Sequence, residues 1–118
     1  MTADELTIEV AHLPGGAIVG LSGRVNIESS PALRARLLAI LTGEPAEPVT
    51  VDLGEVSYID CSGIATLIEA LKVAREHRTA VHLKGLHDRL LHLFDITGVL
   101  SLFNAAGDKG PATEPKAV

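Results

Sequence analysis

The sequence predicts an α/β domain in which helices pack on a mixed sheet. Two observations lead to this prediction. Several short segments alternate between apolar and polar side chains, which is the period of a β-strand. Two longer segments between them repeat their apolar residues at helical spacing. The resulting order is β-β-α-β-α-β-α with four or five strands, and 118 residues suit a single domain.

The first two strands are predicted to form a hairpin. Residues 6–13 alternate between apolar and polar side chains, as in a half-buried strand. Residues 14–16 read Pro-Gly-Gly, a turn signal. Residues 17–22 are apolar almost throughout, which is typical of a more deeply buried strand.

The first helix is predicted to begin at Ser30-Pro31. A serine can accept a hydrogen bond from a free N–H of the first turn, and a proline is tolerated at the first helical position. Gly43 is expected to end the helix. Its apolar residues recur at helical spacing: Leu33, Leu37, Ile40 and Leu41.

The later elements are predicted from the same two periods. In order they are a strand over 49–53, an apolar link over 56–59, a helix over 62–77, a strand at 81–83 and a short helix over 87–95. Thr97-Gly98 should break that last helix, so residues 99–103 form either a final strand or a helical turn. Residues 104–118 are rich in Gly, Pro and Ala without an apolar period. We therefore expect a domain over 1–103 and a flexible tail over 104–118.

The second helix carries the segment of greatest functional interest. Asp60-Cys61-Ser62-Gly63 precedes or opens it. A helical wheel places five residues on the buried side: Ile64, Leu67, Ile68, Leu71 and Ala74. It places another five mostly on the outer side: Ala65, Thr66, Glu69, Val73 and Glu76. The helix should therefore present a surface of small residues beside an exposed first turn.

Composition excludes several functional classes. A net charge of −5 and an aromatic content of 3% argue against nucleic-acid binding, which uses basic grooves and stacking platforms. A single cysteine permits neither an internal disulfide nor a multi-cysteine zinc site. No apolar run approaches the roughly 18 residues of a membrane span. The first ten residues carry acids where a signal peptide carries bases, so we expect a cytoplasmic protein with no direct membrane insertion.

The histidines do not predict a metal centre. His77, His82, His87 and His92 recur every five residues, a spacing that does not hold one helical face. No His-Glu-x-x-His pair, phosphate-binding glycine loop or Gly-x-Ser-x-Gly motif is present. We therefore expect no metal, no cofactor and no catalytic residues.

Three segments together resemble the STAS domain family, the anti-sigma factor antagonists of bacteria, over roughly residues 5–103. They are the strand–link–Asp-x-Ser-Gly–helix unit at 52–72, Leu-Ser-Gly-Arg-Val at 21–25, and Leu-Phe-Asp-Ile-Thr-Gly-Val at 93–99. The resemblance implies a STAS-like fold and a regulatory protein-binding module rather than an enzyme. It implies as partner an anti-sigma factor with a histidine-kinase-like ATPase fold, or a related signalling protein.

The resemblance also implies a phosphorylation switch, from which this chain departs. In the family the residue after the motif aspartate is usually a serine, and its phosphorylation by the anti-sigma factor breaks the complex. Here that residue is Cys61, and Ser62 follows it. In addition, Asn26 stands where many relatives have an acid.

Each residue at this helix start has a structural interpretation beside the functional one. Ser62 is either a phosphorylation candidate or the N-cap of the helix, and we expect the cap. Asp60 either helps a kinase to position a metal or accepts backbone N–H bonds, and we expect the second. Cys61 is either a reactive thiol, since helix N-termini lower thiol pKa values, or a small unreactive buried residue, and we expect the latter.

The predicted function is therefore that of a regulatory module that resembles an anti-sigma factor antagonist and switches partners with a kinase-type anti-sigma factor. In this chain Cys61 occupies the position at which the family usually carries the phosphorylated serine. The predicted partner-binding residues are Asp60, Cys61, Ser62, Gly63, Ala65, Thr66 and Glu69. Two alternatives stay open. One is an accessory subunit of an ABC-type lipid transporter, because STAS-like proteins also accompany such transporters, and the other is a thiol-based switch. The sequence does not indicate an oligomeric state.

Overall fold

The computed structural model describes residues 5–43 and 45–106, and its elements follow the predicted order with one further helix at the end. The strands are β1 (Thr7–Leu13), β2 (Gly16–Val25), β3 (Val49–Ile59) and β4 (Val81–Lys84). The helices are α1 (Ser30–Leu41), α2 (Cys61–Glu76), α3 (Asp88–Ile96) and α4 (Val99–Ala106). Residues 107–118 of the predicted tail lie outside the described residues.

The described strands form a mixed sheet in the order β1-β2-β3-β4. β1 and β2 pair antiparallel with Val10 opposite Val19, which confirms the predicted hairpin. Gly15 in the turn has a φ of +99°, a conformation that glycine adopts without steric cost. β2 pairs parallel with β3, and β3 pairs parallel with β4. The two parallel pairs need crossover connections, which α1 and α2 provide.

The core lies between the sheet and the helices, because the strands bury alternate side chains. In β3, Val49, Val51 and Leu53 are fully buried while Thr50 and Asp52 remain half-exposed. α1 and α2 contact the sheet and also pack against each other. The predicted stripe of α1 is confirmed, with Leu33, Leu37 and Leu41 fully buried and Ile40 partly so.

β3 is longer than predicted, because residues 56–59 continue the strand instead of forming a link. They pair with the last part of β2, where Val56 lies opposite Gly23 and Ile59 opposite Val25. The register shifts twice along this pair. As a result the buried residues Leu53, Val56 and Ile59 are spaced by three rather than two. A search for strict alternation misses such a strand, because irregular pairing breaks the period of two.

The start of α1 is placed correctly, but a serine does not cap it as expected. Ser29 occupies the N-cap position and its side chain makes no capping hydrogen bond. The carbonyl of Asn26 instead accepts the N–H groups of Ser29 and Ser30, at 3.1 and 2.8 Å. Residues 99–103 belong to α4, so the helical alternative is the correct one for this segment.

Candidate partner-binding surface

Asp60 is the N-cap of α2 and organises the start of this helix. Its Oδ1 accepts the backbone N–H of Ser62 at 3.0 Å and that of Gly63 at 3.2 Å. The Ser62 hydroxyl also donates to Oδ1, at 2.6 Å. The structural role expected for Asp60 is confirmed. The expectation that Ser62 is the N-cap is wrong, since the helix begins at Cys61 and Ser62 lies inside its first turn.

These hydrogen bonds hold the Asp60 carboxylate in its charged form. The Ser62 hydroxyl makes the largest contribution to lowering the pKa of Asp60, and partial burial opposes it. The backbone N–H groups of Gly63, Ser62 and Ile27 lower this pKa further. A carboxylate at the positive end of a helix is also favoured by the helix dipole. The site therefore presents a fixed negative charge at the first turn of α2.

Cys61 and Ser62 differ in their exposure and hydrogen bonding. Cys61 is a free, exposed cysteine, so the expectation of a small buried residue is wrong. Its position as the first helical residue turns it toward solvent, whereas the Ser62 hydroxyl is half-buried and bonded to Asp60. The group presented directly after the aspartate is therefore a thiol, and the neighbouring hydroxyl already has a hydrogen-bond partner.

Thr66 does not lie on the outer side of α2, where the helical wheel placed it. Only 7% of the residue is accessible, and its hydroxyl donates to the Ser62 carbonyl at 2.9 Å. The wheel assumed that the sheet alone covers the helix. Because α1 also packs along α2, the buried arc is wider and includes Gly63, Thr66 and Ala70. Of the five residues predicted on the buried side, Ile68 is only partly buried and the other four are buried. Ala65 is exposed, as predicted.

Gly63 lies where α2 comes close to the sheet. A Cβ added at this position would lie 2.6 Å from Cγ1 of Val25 and 2.7 Å from Cγ1 of Ile59. Both neighbours are buried at the ends of β2 and β3. Gly63 was predicted as a partner-binding residue, but it is buried and lets the first turn of α2 sit close to the strands.

Glu69 is half-exposed and engaged in an ion pair within the chain. Arg34 of α1 donates from Nε to one carboxylate oxygen of Glu69 and from Nη2 to the other, both at 2.7 Å. The paired guanidinium lowers the pKa of Glu69, mainly through these hydrogen bonds. A partner that contacts Glu69 therefore meets a carboxylate whose charge Arg34 already balances.

The structure adds a neighbour to this surface that sequence reasoning missed. The β2–α1 loop, residues 26–29, follows Val25, whose carbonyl accepts the Asp60 N–H at 3.1 Å, and the Ile27 backbone N–H is among the groups that lower the pKa of Asp60. Ile27 is 72% exposed, the highest fraction among the exposed large hydrophobic residues of the described chain. The available signal was an isoleucine between Asn26 and Glu28, because an apolar residue in a short polar loop has no local partner to cover it.

The histidines do not gather in one place. Among the described residues no group of three or more His, Cys, Asp and Glu side chains could hold a metal ion. His82, half-buried on β4, has a pKa lowered by its burial. No helix in the described residues is long and apolar enough to cross a membrane.

The described chain is thus an α/β domain in which a helix start capped by Asp60 lies beside the β2–α1 loop, with Cys61 exposed to solvent. A family model described as "Mlab, STAS domain" matches residues 8–103. The chain belongs to the STAS domain family.

The chain is similar to a curated anti-sigma-B factor antagonist and to several solved structures. The Bacillus subtilis protein named anti-sigma-B factor antagonist is 26% identical over 99 residues, covering 84% of this chain and 89% of the relative. Among solved structures, an anti-sigma factor antagonist from Mycobacterium paratuberculosis aligns with a TM-score of 0.70 and 22% identity, over 86% of each chain. The phosphorylated form of the Bacillus cell fate determinant SpoIIAA aligns with a TM-score of 0.65 and 14% identity, over 82% of this chain and 87% of that one. The two structural matches show a shared fold.

Proposed function

We propose that this chain is an anti-sigma factor antagonist that binds a kinase-type anti-sigma factor through the start of α2. The observation that carries the proposal is the Asp60-capped first turn, which presents exposed Cys61 and Ala65 to solvent. The relative from Bacillus subtilis is named an anti-sigma-B factor antagonist, and its similarity extends over most of both chains. Binding, rather than catalysis, is the activity proposed for this surface.

The geometry supports docking of a flat partner surface. Cys61 and Ala65 are exposed, small and four residues apart, so they lie on one side of the helix. Small side chains let a partner approach the helix backbone closely. Asp60 contributes a charge that its hydrogen bonds hold in place before any partner arrives. A preformed surface of this kind loses little conformational entropy on binding.

We propose further that phosphorylation does not control the complex in the way usual for the family. The exposed residue after Asp60 carries a thiol, to which a serine kinase does not transfer phosphate. Phosphorylation of Ser62 would replace its 2.6 Å hydrogen bond to Asp60 with two anionic groups side by side. Ser62 remains the candidate phosphorylation site of this chain, but its phosphorylation would weaken the capping of α2 by Asp60.

The binding test compares two identical changes on different helices. Each anti-sigma factor kinase encoded in the source genome is purified singly, and its affinity for the full chain is measured by calorimetry. Ala65→Arg should weaken the complex at least roughly tenfold, because a bulky charge is placed within the interface. Ala39→Arg is the matched control, since Ala39 is also exposed but lies toward the far end of α1.

Two results would contradict the proposal: no kinase binds the wild-type chain, or Ala65→Arg binds as tightly as Ala39→Arg. Thermal melts of both variants show whether a loss of affinity reflects unfolding. If no kinase binds the wild-type chain, the accessory-subunit alternative is favoured. A search for permease and ATPase genes beside the gene of this chain would then test it. Thiol titration of Cys61 at several pH values tests the redox alternative, since a switch requires an unusually reactive thiol.

A further inference from the structure

Ile27 is an exposed apolar side chain on a loop that hydrogen bonds hold in place. Its exposed fraction of 72% means that folding of the described chain leaves most of the side chain in water. Single exposed apolar residues are common on protein surfaces and carry no meaning alone. The loop around Ile27 and its position beside Asp60 distinguish it from the others.

The loop is fixed by the two residues that flank Ile27 and Glu28. The Asn26 Oδ1 accepts the backbone N–H of Glu28 at 2.9 Å and that of Ser29 at 3.0 Å. The Ser29 hydroxyl accepts the Asn26 N–H at 2.9 Å and donates to the Arg24 carbonyl at 2.9 Å. These side-chain hydrogen bonds add to the backbone bonds from Ser29 and Ser30 to the Asn26 carbonyl, so Ile27 projects from a turn that is fixed on both sides.

The same loop is joined to the start of α2. The Asp60 N–H donates to the Val25 carbonyl at 3.1 Å, immediately before the loop. The Ile27 backbone N–H in turn contributes to the low pKa of Asp60. Ile27 is thus held next to the start of α2, although it lies 33 positions before Asp60 in the sequence.

We infer that Ile27 is an apolar anchor of the docking surface and inserts into an apolar recess of the anti-sigma factor. This inference rests on the proposed function. Interfaces depend on a few anchor residues, and an aromatic or aliphatic side chain seated in a pocket and held in position before binding can serve as one. Ile27 meets these conditions, and the acidic neighbours Glu28 and Asp60 favour a recess with a basic rim. The partner that fits is a protein surface with a pocket for one branched aliphatic side chain.

The test compares two exposed isoleucines of the full chain. The probe is the anti-sigma factor kinase that binds wild type in the calorimetric panel. Ile27→Ala should weaken its binding roughly tenfold or more, as loss of an interface anchor does. Ile96→Ala is the matched control, because Ile96 is 64% exposed on α3. Both variants should melt within a few degrees of wild type.

A second variant separates the anchor from the loop that holds it. Asn26→Ala removes the acceptor of two loop N–H groups and should also weaken binding, whereas Asn26→Asp keeps a carboxylate acceptor and should restore most of the affinity. In the double variant Asn26→Ala/Ile27→Ala, the two losses should be less than additive, because a loose loop matters only when it carries the anchor.

The outcomes distinguish this inference from the proposed function. If Ala65→Arg abolishes binding while Ile27→Ala binds like wild type, the proposed function stands and the anchor is overturned. Equal losses for Ile27→Ala and Ile96→Ala also overturn it. If no kinase binds wild type, the proposed function fails and the anchor fails with it.

Discussion

Arg34 of α1 and Glu69 of α2 form an ion pair in which two guanidinium nitrogens each donate to a different carboxylate oxygen at 2.7 Å. This geometry is directional, because the planar guanidinium and the carboxylate match each other. It joins the two helices that pack side by side on the sheet. Glu69 is therefore first a residue that aligns α2 with α1, and any contact with a partner adds to that role.

We predict that Glu69→Gln lowers the stability slightly and that added salt removes the difference. Both side chains are substantially exposed, 51% for Arg34 and 39% for Glu69, so water and ions screen the pair. Denaturant melts at low salt and at about 1 M salt measure the difference in stability between the two chains. At the higher concentration the Debye length falls to about 3 Å. Glu76→Gln, at an exposed site on the same helix, should change stability less. An effect of Glu69→Gln that is unchanged by salt would contradict an electrostatic role.

Asp60→Ala should destabilise the chain by about 1 kcal/mol at neutral pH, since it removes the N-cap of α2. The pKa of Asp60 is lower in the folded chain than its unfolded value of about 3.9. The stabilisation from the charged form is therefore fully present above that value and is lost as the pH falls through the folded pKa. Urea melts between pH 7 and pH 3 should show the two chains converging in acid.

The matched control for this prediction is Asp60→Asn. Its amide oxygen still accepts backbone N–H groups, so part of the cap should remain, without the charge. The stability difference between wild type and Asp60→Asn should shrink in acid. A difference between wild type and Asp60→Ala that stays constant down to pH 3 would mean that the carboxylate charge contributes nothing to the cap.

Gly63→Ala should destabilise the chain by roughly 1–3 kcal/mol, although alanine favours a helix over glycine by about 1 kcal/mol. The reason is space, because the added Cβ would lie 2.6 Å from a Val25 methyl carbon. Chemical denaturation gives the sign directly. The double variant Gly63→Ala/Val25→Ala removes that methyl carbon and should recover part of the loss beyond the cost of Val25→Ala alone. A stabilising Gly63→Ala would show that the strands relax to admit the methyl group.

Cys61→Ser should turn the chain into a better substrate of the anti-sigma factor kinase that binds it. The change supplies a hydroxyl at the exposed position after Asp60, where the family carries its acceptor, and alters a single atom of the side chain. The serine oxygen would accept the γ-phosphoryl group of ATP. The serine hydroxyl would lose its proton, and ADP would leave. The phosphate would lie at the N-terminus of α2, which tolerates an anion, and would oppose a partner bound there.

Phosphate transfer from ATP, followed by peptide mapping, measures this change. Ser62→Ala in the Cys61→Ser background controls for transfer to the neighbouring hydroxyl. Efficient phosphorylation of wild type at Ser62 would contradict the prediction, because the switch would then have moved by one residue. Absence of transfer to either chain would show that the kinase does not act at this helix start.

The predictable part of the fold and site rests on local patterns. Alternation located β1, an almost continuous apolar run located β2, helical spacing located α1 and α2, and the Asp-x-Ser-Gly motif predicted the candidate site. Several residues of the candidate site differ from expectation, and for two of them the reason lies outside their own segments. Thr66 is buried because α1 widens the covered arc of α2, and Ile27 was overlooked because only the folded chain brings its loop to Asp60.

The sequence by itself determined the order of the elements, the sheet face that becomes buried and the family resemblance, because each depends on residues within a few positions of one another. Only the tertiary structure decided that 56–59 extend β3, that Thr66 is buried and that Cys61 faces solvent. These outcomes depend on which groups meet across the sheet and between helices. Whether a side chain is buried depends on the residues that the fold brings against it. A local period in the sequence does not contain that information.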